Sequence, residues 1–147
     1  MTGLTSAGPN VVAQLGSGLV VMGDTQHLPG YCILLSNVDG AEHLSDLALP
    51  DRVAFLTDMA LVGEAVLRAC QAADPQFRRV NYEILGNTVP ALHAHIHARY
   101  EWEPAEHVGG PVWRYPDDER RASEHAYGPQ HAPLRDAIAA ELARLTA

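Results

Sequence analysis

The segment Gly86–Tyr100 has the sequence GNTVPALHAHIHARY, in which three histidines alternate with small or apolar residues. Successive side chains of a β-strand point to opposite faces, so His93, His95 and His97 would share one face of a sheet. A buried imidazole needs a hydrogen-bond partner, and an ordinary sheet core would not select a row of them. The segment therefore predicts a strand over Leu92–Tyr100 with one face that carries unusual chemistry.

Three interpretations of this row of histidines remain open on the residues alone. It can be a solvated strand face in a chain that contains 8 histidines. It can belong to a zinc site, because imidazole is the commonest zinc ligand, although no spacing selects a further ligand among His43, His107 and Glu83. It can also supply a nucleophile, since an imidazole with an ordinary pKa of about 6.5 keeps one ring nitrogen free at neutral pH.

The sequence around the histidines alternates between strand and helix patterns. Short apolar runs predict strands over Gly18–Gly23, Tyr31–Leu35, Arg79–Leu85 and Leu92–Tyr100. Apolar residues spaced three and four apart predict a long helix from Pro50 onward, and a final helix begins at Pro133. The predicted inner face of the long helix comprises Leu56, Met59, Ala60, Gly63, Val66, Leu67 and Cys70. This order of elements indicates an α+β domain with an antiparallel sheet.

Composition narrows the classes of function. The chain has 147 residues, of which 47% are hydrophobic and 19% charged, so it suits one folded domain and is unlike a disordered chain. Its net charge is −8 and it contains no lysine, since all 10 basic residues are arginines. An acidic surface repels phosphate polymers, and we therefore expect no binding to a nucleic acid polymer.

Cellular location is predicted from three features. Cys32 and Cys70 lie in apolar sequence with no metal-type spacing, which is typical of core residues in a reducing compartment. No apolar stretch approaches the roughly 20 residues of a helical membrane span. Met1–Asn10 lacks the positive flank of a signal peptide. We therefore expect a cytoplasmic protein without a membrane partner.

Beyond the histidines, several motifs resemble the histidine triad (HIT) superfamily. They are the segment Asn81–Asn87 (NYEILGN), the Val89-Pro90 step, Arg99-Tyr100, Pro29-Gly30 before a buried strand, Leu44–Leu47 before the long helix, and Pro111–Trp113. The resemblance implies an antiparallel sheet of about five strands with one long helix packed on it and a C-terminal helix. It also implies a single domain over residues 1–147, of which roughly 103–147 form a C-terminal extension.

Function follows from the same resemblance. The family comprises nucleotidyl hydrolases and transferases that act on dinucleoside polyphosphates, nucleoside phosphoramidates and related α-phosphate esters. The resemblance implies a small nucleotide as partner, a homodimer, and neither a cofactor nor a metal. A nucleotide-binding module that has lost turnover is the alternative, because two positions depart from the family pattern.

The family alignment decides which histidines form the triad. In the family, a Gly-Asn or Gly-Gln turn precedes the first triad histidine by four residues, and a Pro-Arg pair closes the strand. Aligning Gly86-Asn87 and Arg99 places the triad at Ala91, His93 and His95. His93 then corresponds to the nucleophile, and His95 to the last member, which donates to a phosphate oxygen or to the leaving atom. His97 occupies a position that is apolar in the family.

The first departure from the pattern is Ala91, which stands where the family has a histidine. In the family, the nucleophile donates its far ring N–H to the main-chain carbonyl of that position. Ala91 retains a carbonyl, so the orientation of His93 can survive. The second departure is Tyr31, where many relatives have a histidine after the Pro-Gly pair.

Four further residues are candidates for substrate binding by resemblance. Asn87 matches a phosphate-contacting amide, Asn81 a less certain polar position, and Asp24 a loop near the nucleoside. Arg99 matches the family arginine, but a structural ion pair with Glu101 or Glu103 is the preferred interpretation. Each of the other three also has an ordinary role, in a turn, across strands or in solvent.

The C-terminal residues carry weaker expectations. Trp113 or Trp102 can stack on a base, although core packing is the commoner role of a tryptophan. We expect His43, His107, His125 and His131 to be exposed.

Overall fold

The computed structural model describes residues 8–147, so most of the stretch Met1–Asn10 lies outside the described residues. Its strands are β1 (Val11–Gln14), β2 (Gly18–Met22), β3 (Cys32–Ser36), β4 (Phe77–Glu83) and β5 (His93–Tyr100). Its helices are α1 (Leu49–Ala73), α2 (Ala105–Val108), α3 (Asp117–Arg120) and α4 (Ala132–Leu145), with short 3₁₀ turns between them.

The five strands form one antiparallel sheet in the order β1-β2-β3-β5-β4. The predicted α+β class is confirmed, as are the antiparallel sheet, the long helix and the C-terminal helix. Strand β1 has no counterpart in the sequence prediction, because its four residues VVAQ are too few to show an alternation. Strand β5 lies between β3 and β4, with His95 opposite Ile33 on one side and Glu83 on the other.

The two faces of β5 meet different surroundings. Ala94, Ile96, Ala98 and Tyr100 belong to the main hydrophobic core, which α1 covers. The alternate residues His93, His95, His97 and Arg99 are on the opposite face, and all four are buried as well. The interpretation of the histidine row as a solvated strand face is therefore wrong.

Helix α1 was predicted correctly as an element, but its inner face was predicted only in part. Gly63, Val66 and Cys70 are buried as expected, whereas Leu56, Ala60 and Leu67 are exposed. The buried face is rotated toward Phe55 and Val62, because α1 packs against both the sheet and α4. Alanine, leucine and glycine occur on every side of this helix, so its apolar period does not define a single face.

The Pro29-Gly30 pair brings the chain into β3 against α1. Gly30 has a φ of 103°, which favours glycine, and a Cβ there would collide with the Cys70 sulfur. Cys32 and Cys70 are both buried and free, as predicted for small core residues.

The C-terminal segment returns across the loop between β2 and β3. The Thr25 hydroxyl donates to the Arg120 carbonyl at 2.5 Å, and the backbone N–H of Gln26 donates to the His125 carbonyl at 2.6 Å. The Tyr127 amide donates to the Asp24 carbonyl at 2.8 Å. These bonds hold residues from α3 onward beside the histidine face of the sheet.

Of the four histidines that were expected to be exposed, only His43 is exposed. His107 packs on Tyr115, His125 on His27, and His131 on Tyr127, so the other three are half-buried. The partner of His125 lies far away along the chain, whereas those of His107 and His131 are tyrosines of the same polar segment, whose composition alone suggests exposure. Within residues 8–147, no helix has the length and apolar character needed to cross a membrane.

Candidate active site

A cavity of about 590 Å³ lies beside the first half of β5. The residues that line it come from the β2–β3 region, the turn before β5, β5 itself and the C-terminal segment. They are Met22, Asp24, Tyr31, Ile33, Leu85, Gly86, Asn87, Thr88, Val89, His93, His95, Trp113, Asp117, Arg120 and Arg121. The cavity is large enough for a small organic ligand.

His93 is fixed by a bond to the main chain. Its Nδ1 lies 2.5 Å from the carbonyl oxygen of Ala91. A carbonyl only accepts, so Nδ1 must carry the ring proton in the neutral imidazole. The other nitrogen, Nε2, then keeps its lone pair, and His93 is on the cavity wall. The geometry suits a nucleophile.

His95 is fixed by Tyr31. The tyrosine hydroxyl lies 2.7 Å from Nδ1 of His95, and both residues are buried. Burial raises the pKa of the Tyr31 hydroxyl, which therefore keeps its proton. We assign the bond as Tyr31 O–H donating to Nδ1, which places the ring proton of His95 on Nε2.

His95 is also held in its neutral form. Burial, followed by electrostatic interactions with neighbouring His93 and Arg120, lowers the pKa of His95 to about 4. The His93 and His95 rings are in edge contact, with centres 4.7 Å apart. The site thus places one imidazole with a free lone pair beside one imidazole with a free N–H.

The fold of this chain resembles that of several solved structures. The chain superposes on a histidine triad protein from Marinobacter aquaeolei VT8 with a TM-score of 0.71 and 22% identity, over 92% of this chain and 91% of that one. A histidine triad protein from Sinorhizobium meliloti 1021 gives a TM-score of 0.69 and 22% identity, over 91% and 87%. The chain has the histidine triad fold.

A third structure with the histidine triad fold is more distant in sequence. It is a hypothetical histidine triad nucleotide-binding protein from Sulfolobus tokodaii strain7, with a TM-score of 0.65 and 12% identity, over 93% of this chain and 85% of that one. A scan against protein-family models found no match, and a search of curated proteins found none either. The likeness is therefore one of fold.

His97 is a packing residue within this fold. Its ring stacks on Tyr31 with centres 4.1 Å apart and meets the edge of Trp113 at 5.4 Å. It does not line the cavity, and burial lowers its pKa well below the ordinary value. Its Nε2 has no hydrogen-bond partner within residues 8–147 and lies 4.0 Å from a Glu83 oxygen. This environment agrees with the alignment that gives His97 an apolar position.

Asn87 and Asp24 both line the cavity, where the sequence prediction placed substrate contacts. Asn87 is exposed and follows Gly86, whose φ of 71° forms the turn into β5. The Asp24 carboxylate is 78% exposed and lies 3.6 Å from the Arg121 guanidinium.

Arg99 and Asn81, which the sequence predicts as substrate-binding residues, do not line this cavity. Arg99 is buried and makes bidentate hydrogen bonds to the Glu103 carboxylate, at 3.0 Å from Nε and 2.8 Å from Nη2. It also donates to the Asn81 side chain and to the carbonyls of His107 and Gly110. Its donors are occupied by the protein, as the preferred structural interpretation expected.

Sequence reasoning missed Arg120 and Arg121, and it left the role of Trp113 open. Trp113 lines the cavity, contacts the His95 ring edge-on at 4.8 Å and donates its N–H to Glu83 at 2.9 Å. Trp102 instead stacks on Tyr100 away from the cavity. The two arginines lie in an acidic segment, and no local pattern marked them as site residues.

The zinc interpretation finds no support in the described part of the chain. Among residues 8–147, no cluster of three or more histidine, cysteine, aspartate or glutamate side chains has the geometry to hold a metal ion. His93 and His95 each use Nδ1 in a bond to the protein.

Proposed function

We propose that the protein is a nucleotidyl hydrolase or transferase that cleaves a nucleoside α-phosphate anhydride, ester or phosphoramidate through a covalent nucleotidyl-histidine on His93. The observation that carries this proposal is the 2.5 Å contact between His93 Nδ1 and the Ala91 carbonyl at the wall of the cavity. It supplies the tautomer that nucleophilic attack requires, without the missing first histidine.

The proposed reaction has two steps. The Nε2 lone pair of His93 forms a bond to the α-phosphorus, and the bond to the leaving group breaks, with its electron pair going to the leaving atom. Water then attacks the same phosphorus and loses a proton to the solvent, the P–N bond breaks with its electron pair returning to Nε2, and a nucleoside monophosphate is released with His93 restored. An alcohol in place of water makes the reaction a transfer.

Three other residues that line the cavity are assigned supporting roles in this proposal. His95 directs its Nε2–H at a phosphoryl oxygen and stabilises the charge that develops there. Asn87 supplies a side-chain amide from the turn before β5, and it also lines the cavity. Asp24 is on the loop before β3, where a carboxylate suits the hydroxyls of a nucleoside ribose.

Release of adenosine monophosphate tests the proposal directly. We expect the purified protein to release it from diadenosine triphosphate, adenosine 5′-phosphoramidate or both. His93→Ala should lower kcat by about 10³-fold or more, because it removes the attacking atom. Acid quenching of the wild type with radiolabelled substrate should trap labelled protein, and His93→Ala should not. Full activity in His93→Ala would disprove the mechanism.

A binding module without turnover is the second candidate, and the two replaced imidazoles, at Ala91 and Tyr31, favour it. Such a module would bind adenosine monophosphate in calorimetry and release no product over long incubation. Binding that His93→Ala preserves, together with no labelled protein after quenching, would decide for this candidate.

We also propose a homodimer. Helix α1 has an exposed apolar stripe that includes Val53, Leu56 and Leu67, and the half-exposed Tyr82 of β4 packs beside Gly63 on the same side. Sedimentation equilibrium should give twice the mass of the chain, and Leu56→Glu should shift the protein to the monomer. We further propose a cytoplasmic location and a single domain over residues 1–147, with residues 103–147 as its extension.

A further inference from the structure

The cavity has a cationic end that the proposed chemistry at His93 does not use. Arg120 and Arg121 are adjacent residues at the end of α3, and both line the cavity. Asp24 and Asp117 line the same cavity, so each guanidinium has a carboxylate partner whose place a phosphate can take.

Arg120 is a buried cation with unused hydrogen-bonding capacity. Its side chain is 9% exposed and donates from Nη2 to Asp117 at 2.9 Å. Its Nε is buried and has no partner among residues 8–147. A guanidinium has five N–H donors in a planar fork that matches two phosphate oxygens. The single bond to Asp117 leaves other N–H groups of this fork unused, and an anion in the cavity that Arg120 lines can bind them.

Arg120 is also close to the reacting groups. Its guanidinium carbon lies over the Trp113 ring, 4.8 Å from the ring centre, and the same indole contacts His95 with centres 4.8 Å apart. One aromatic ring therefore separates Arg120 from His95. A phosphate chain that begins at His93 and His95 can extend to the arginines within the same cavity.

Arg121 is held only weakly in its present position. It lies 3.6 Å from the Asp24 carboxylate, and the two side chains are 58% and 78% exposed. Exposed pairs of this kind contribute little to stability, so exchange of Asp24 for a phosphate costs little. Exchange of Asp117 for a phosphate at Arg120 also costs little, because the Asp117 carboxylate is 85% exposed.

The hydrogen bonding of His95 determines whether it can protonate a leaving group. Tyr31 bonds to its Nδ1 at 2.7 Å, so in the neutral ring of His95, which lines the cavity, the proton is on Nε2. A neutral imidazole is a hydrogen-bond donor and a poor acid. Among the described residues that line the cavity, the two arginines are suited to receive a leaving group that departs as an anion.

We propose that Arg120 and Arg121 form a subsite for the phosphates of the leaving group, so that the site selects phosphoric anhydrides over phosphoramidates. In the first step, the bond from His93 Nε2 to the α-phosphorus forms and the bond from that phosphorus to the bridging oxygen breaks. The electron pair stays on the bridging oxygen of the departing phosphate, where the guanidinium groups balance it. No proton transfer is needed, whereas a departing amine must take one up. This subsite rests on the proposed function of His93.

The test compares two substrates in four proteins. We would measure kcat/KM for diadenosine triphosphate and for adenosine 5′-phosphoramidate in the wild type, Arg121→Ala, Arg120→Lys and the control Arg114→Ala. Arg114 is an exposed arginine of the same segment that does not line the cavity. Thermal denaturation of each variant checks that it is folded.

The wild type should prefer the anhydride, and Arg121→Ala should lower kcat/KM for it by about tenfold or more, the effect of losing one charge-assisted hydrogen bond. Its activity on the phosphoramidate should change by less than about twofold, on the same scale of free energies. Arg120→Lys, like Arg121→Ala, should lose activity on the anhydride and not on the phosphoramidate. Arg114→Ala should leave kcat/KM for both substrates unchanged. Equal losses on both substrates, or no loss on the anhydride, would overturn the subsite.

Failure of the proposed function is distinguishable from failure of the subsite. If the wild type cleaves neither substrate, the proposed reaction on His93 is wrong. The subsite is then decided by calorimetry with adenosine diphosphate and adenosine monophosphate. Tighter binding of the diphosphate that Arg121→Ala removes supports it, and equal binding of the two nucleotides overturns it.

Discussion

The Nδ1 atom of His93 lies 2.5 Å from the main-chain oxygen of Ala91, two residues earlier in the chain. The bond uses only the backbone of residue 91, whose side chain is not part of it. A main-chain carbonyl just before β5 thus orients the imidazole, and this role does not depend on the side chain at position 91.

The first prediction concerns this position. Ala91→Ser should leave kcat/KM within about threefold of the wild type, because the carbonyl that accepts from His93 is unchanged and residue 91 is exposed. Steady-state kinetics on whichever substrate the wild type cleaves measures this. A loss as large as that in His93→Ala would show that the side chain at position 91 takes part in the reaction.

The second prediction concerns the Tyr31 hydroxyl. Tyr31→Phe removes the donor to His95 Nδ1 but keeps the aromatic ring that stacks on His97. It should lower stability by about 1–3 kcal/mol, because a buried acceptor loses its partner. It should also lower kcat more than it raises KM, because His95 loses its fixed tautomer and with it the N–H directed at the phosphoryl oxygen.

Urea denaturation and steady-state kinetics measure the two effects of Tyr31→Phe separately. Tyr127→Phe is a suitable control, because Tyr127 donates its hydroxyl only to an exposed carbonyl of Pro9 and does not line the cavity. If Tyr31→Phe loses stability while kcat and KM stay unchanged, Tyr31 has a structural role alone.

The third prediction concerns the dependence of stability on pH. Burial lowers the pKa of His95 to about 4 and that of His97 well below 6.5. Between pH 6.5 and about 4, the unfolded chain therefore binds protons at these sites that the folded chain does not. The free energy of unfolding should be greatest above pH 6.5 and fall as the pH decreases toward 4.

Urea denaturation between pH 5 and 7 measures this slope, above the range in which most carboxylates titrate. Each such histidine contributes at most about 1.4 kcal/mol per pH unit, and less for the partly solvated His95. His97→Phe keeps a ring in the stack with Tyr31 and should flatten the slope. An unchanged slope in His97→Phe would mean that His97 titrates alike in the folded and unfolded chains.

The fourth prediction concerns the buried pair of Arg99 and Glu103, whose side chains are 3% and 0% exposed. Arg99→Ala should lower the free energy of unfolding by about 3–5 kcal/mol, because it leaves a buried carboxylate without its cation. Burial raises the pKa of Glu103, but hydrogen bonds from Arg99, Tyr100 and Tyr115 overcome this and lower it below the usual value. The stability that this carboxylate supplies is present above its ordinary pKa and is lost as the pH falls below it.

Urea denaturation of Arg99→Ala at pH 7, beside Arg79→Ala as an exposed control on β4, tests this prediction. Substrate contact by Arg99 would give the opposite pattern, a raised KM in a variant of normal stability. That result would restore Arg99 to the binding site.

More of the fold than of the candidate site could be predicted from the sequence. The alternation His93-His95-His97 correctly indicated a strand, and the family alignment gave the register in which Ala91 supplies the carbonyl for His93. Such features are local, since they depend on residues within one strand and its preceding turn. The inner face of α1 was harder, because apolar residues surround that helix and the packing of α4 chooses among them.

The remaining site residues depend on contacts between distant parts of the chain. Arg120 reaches the cavity because its carbonyl accepts from Thr25, 95 positions earlier. Arg99 resembles a family binding residue in sequence, but Glu103 and two carbonyls from the C-terminal segment occupy its donors. No pattern within a short window carries this information, so tertiary packing decides both cases.

The last prediction uses Trp113 as a reporter of binding. The chain has two tryptophans, of which Trp113 lines the cavity beside His95, whereas Trp102 stacks on Tyr100 outside it. A nucleotide base or phosphate in the cavity changes the surroundings of one indole only. In Trp102→Phe, adenosine monophosphate should therefore change the tryptophan fluorescence in a saturable way, and in Trp113→Phe it should not. The half-saturation point should match the affinity from calorimetry, and a response confined to Trp102 would place the nucleotide somewhere other than this cavity.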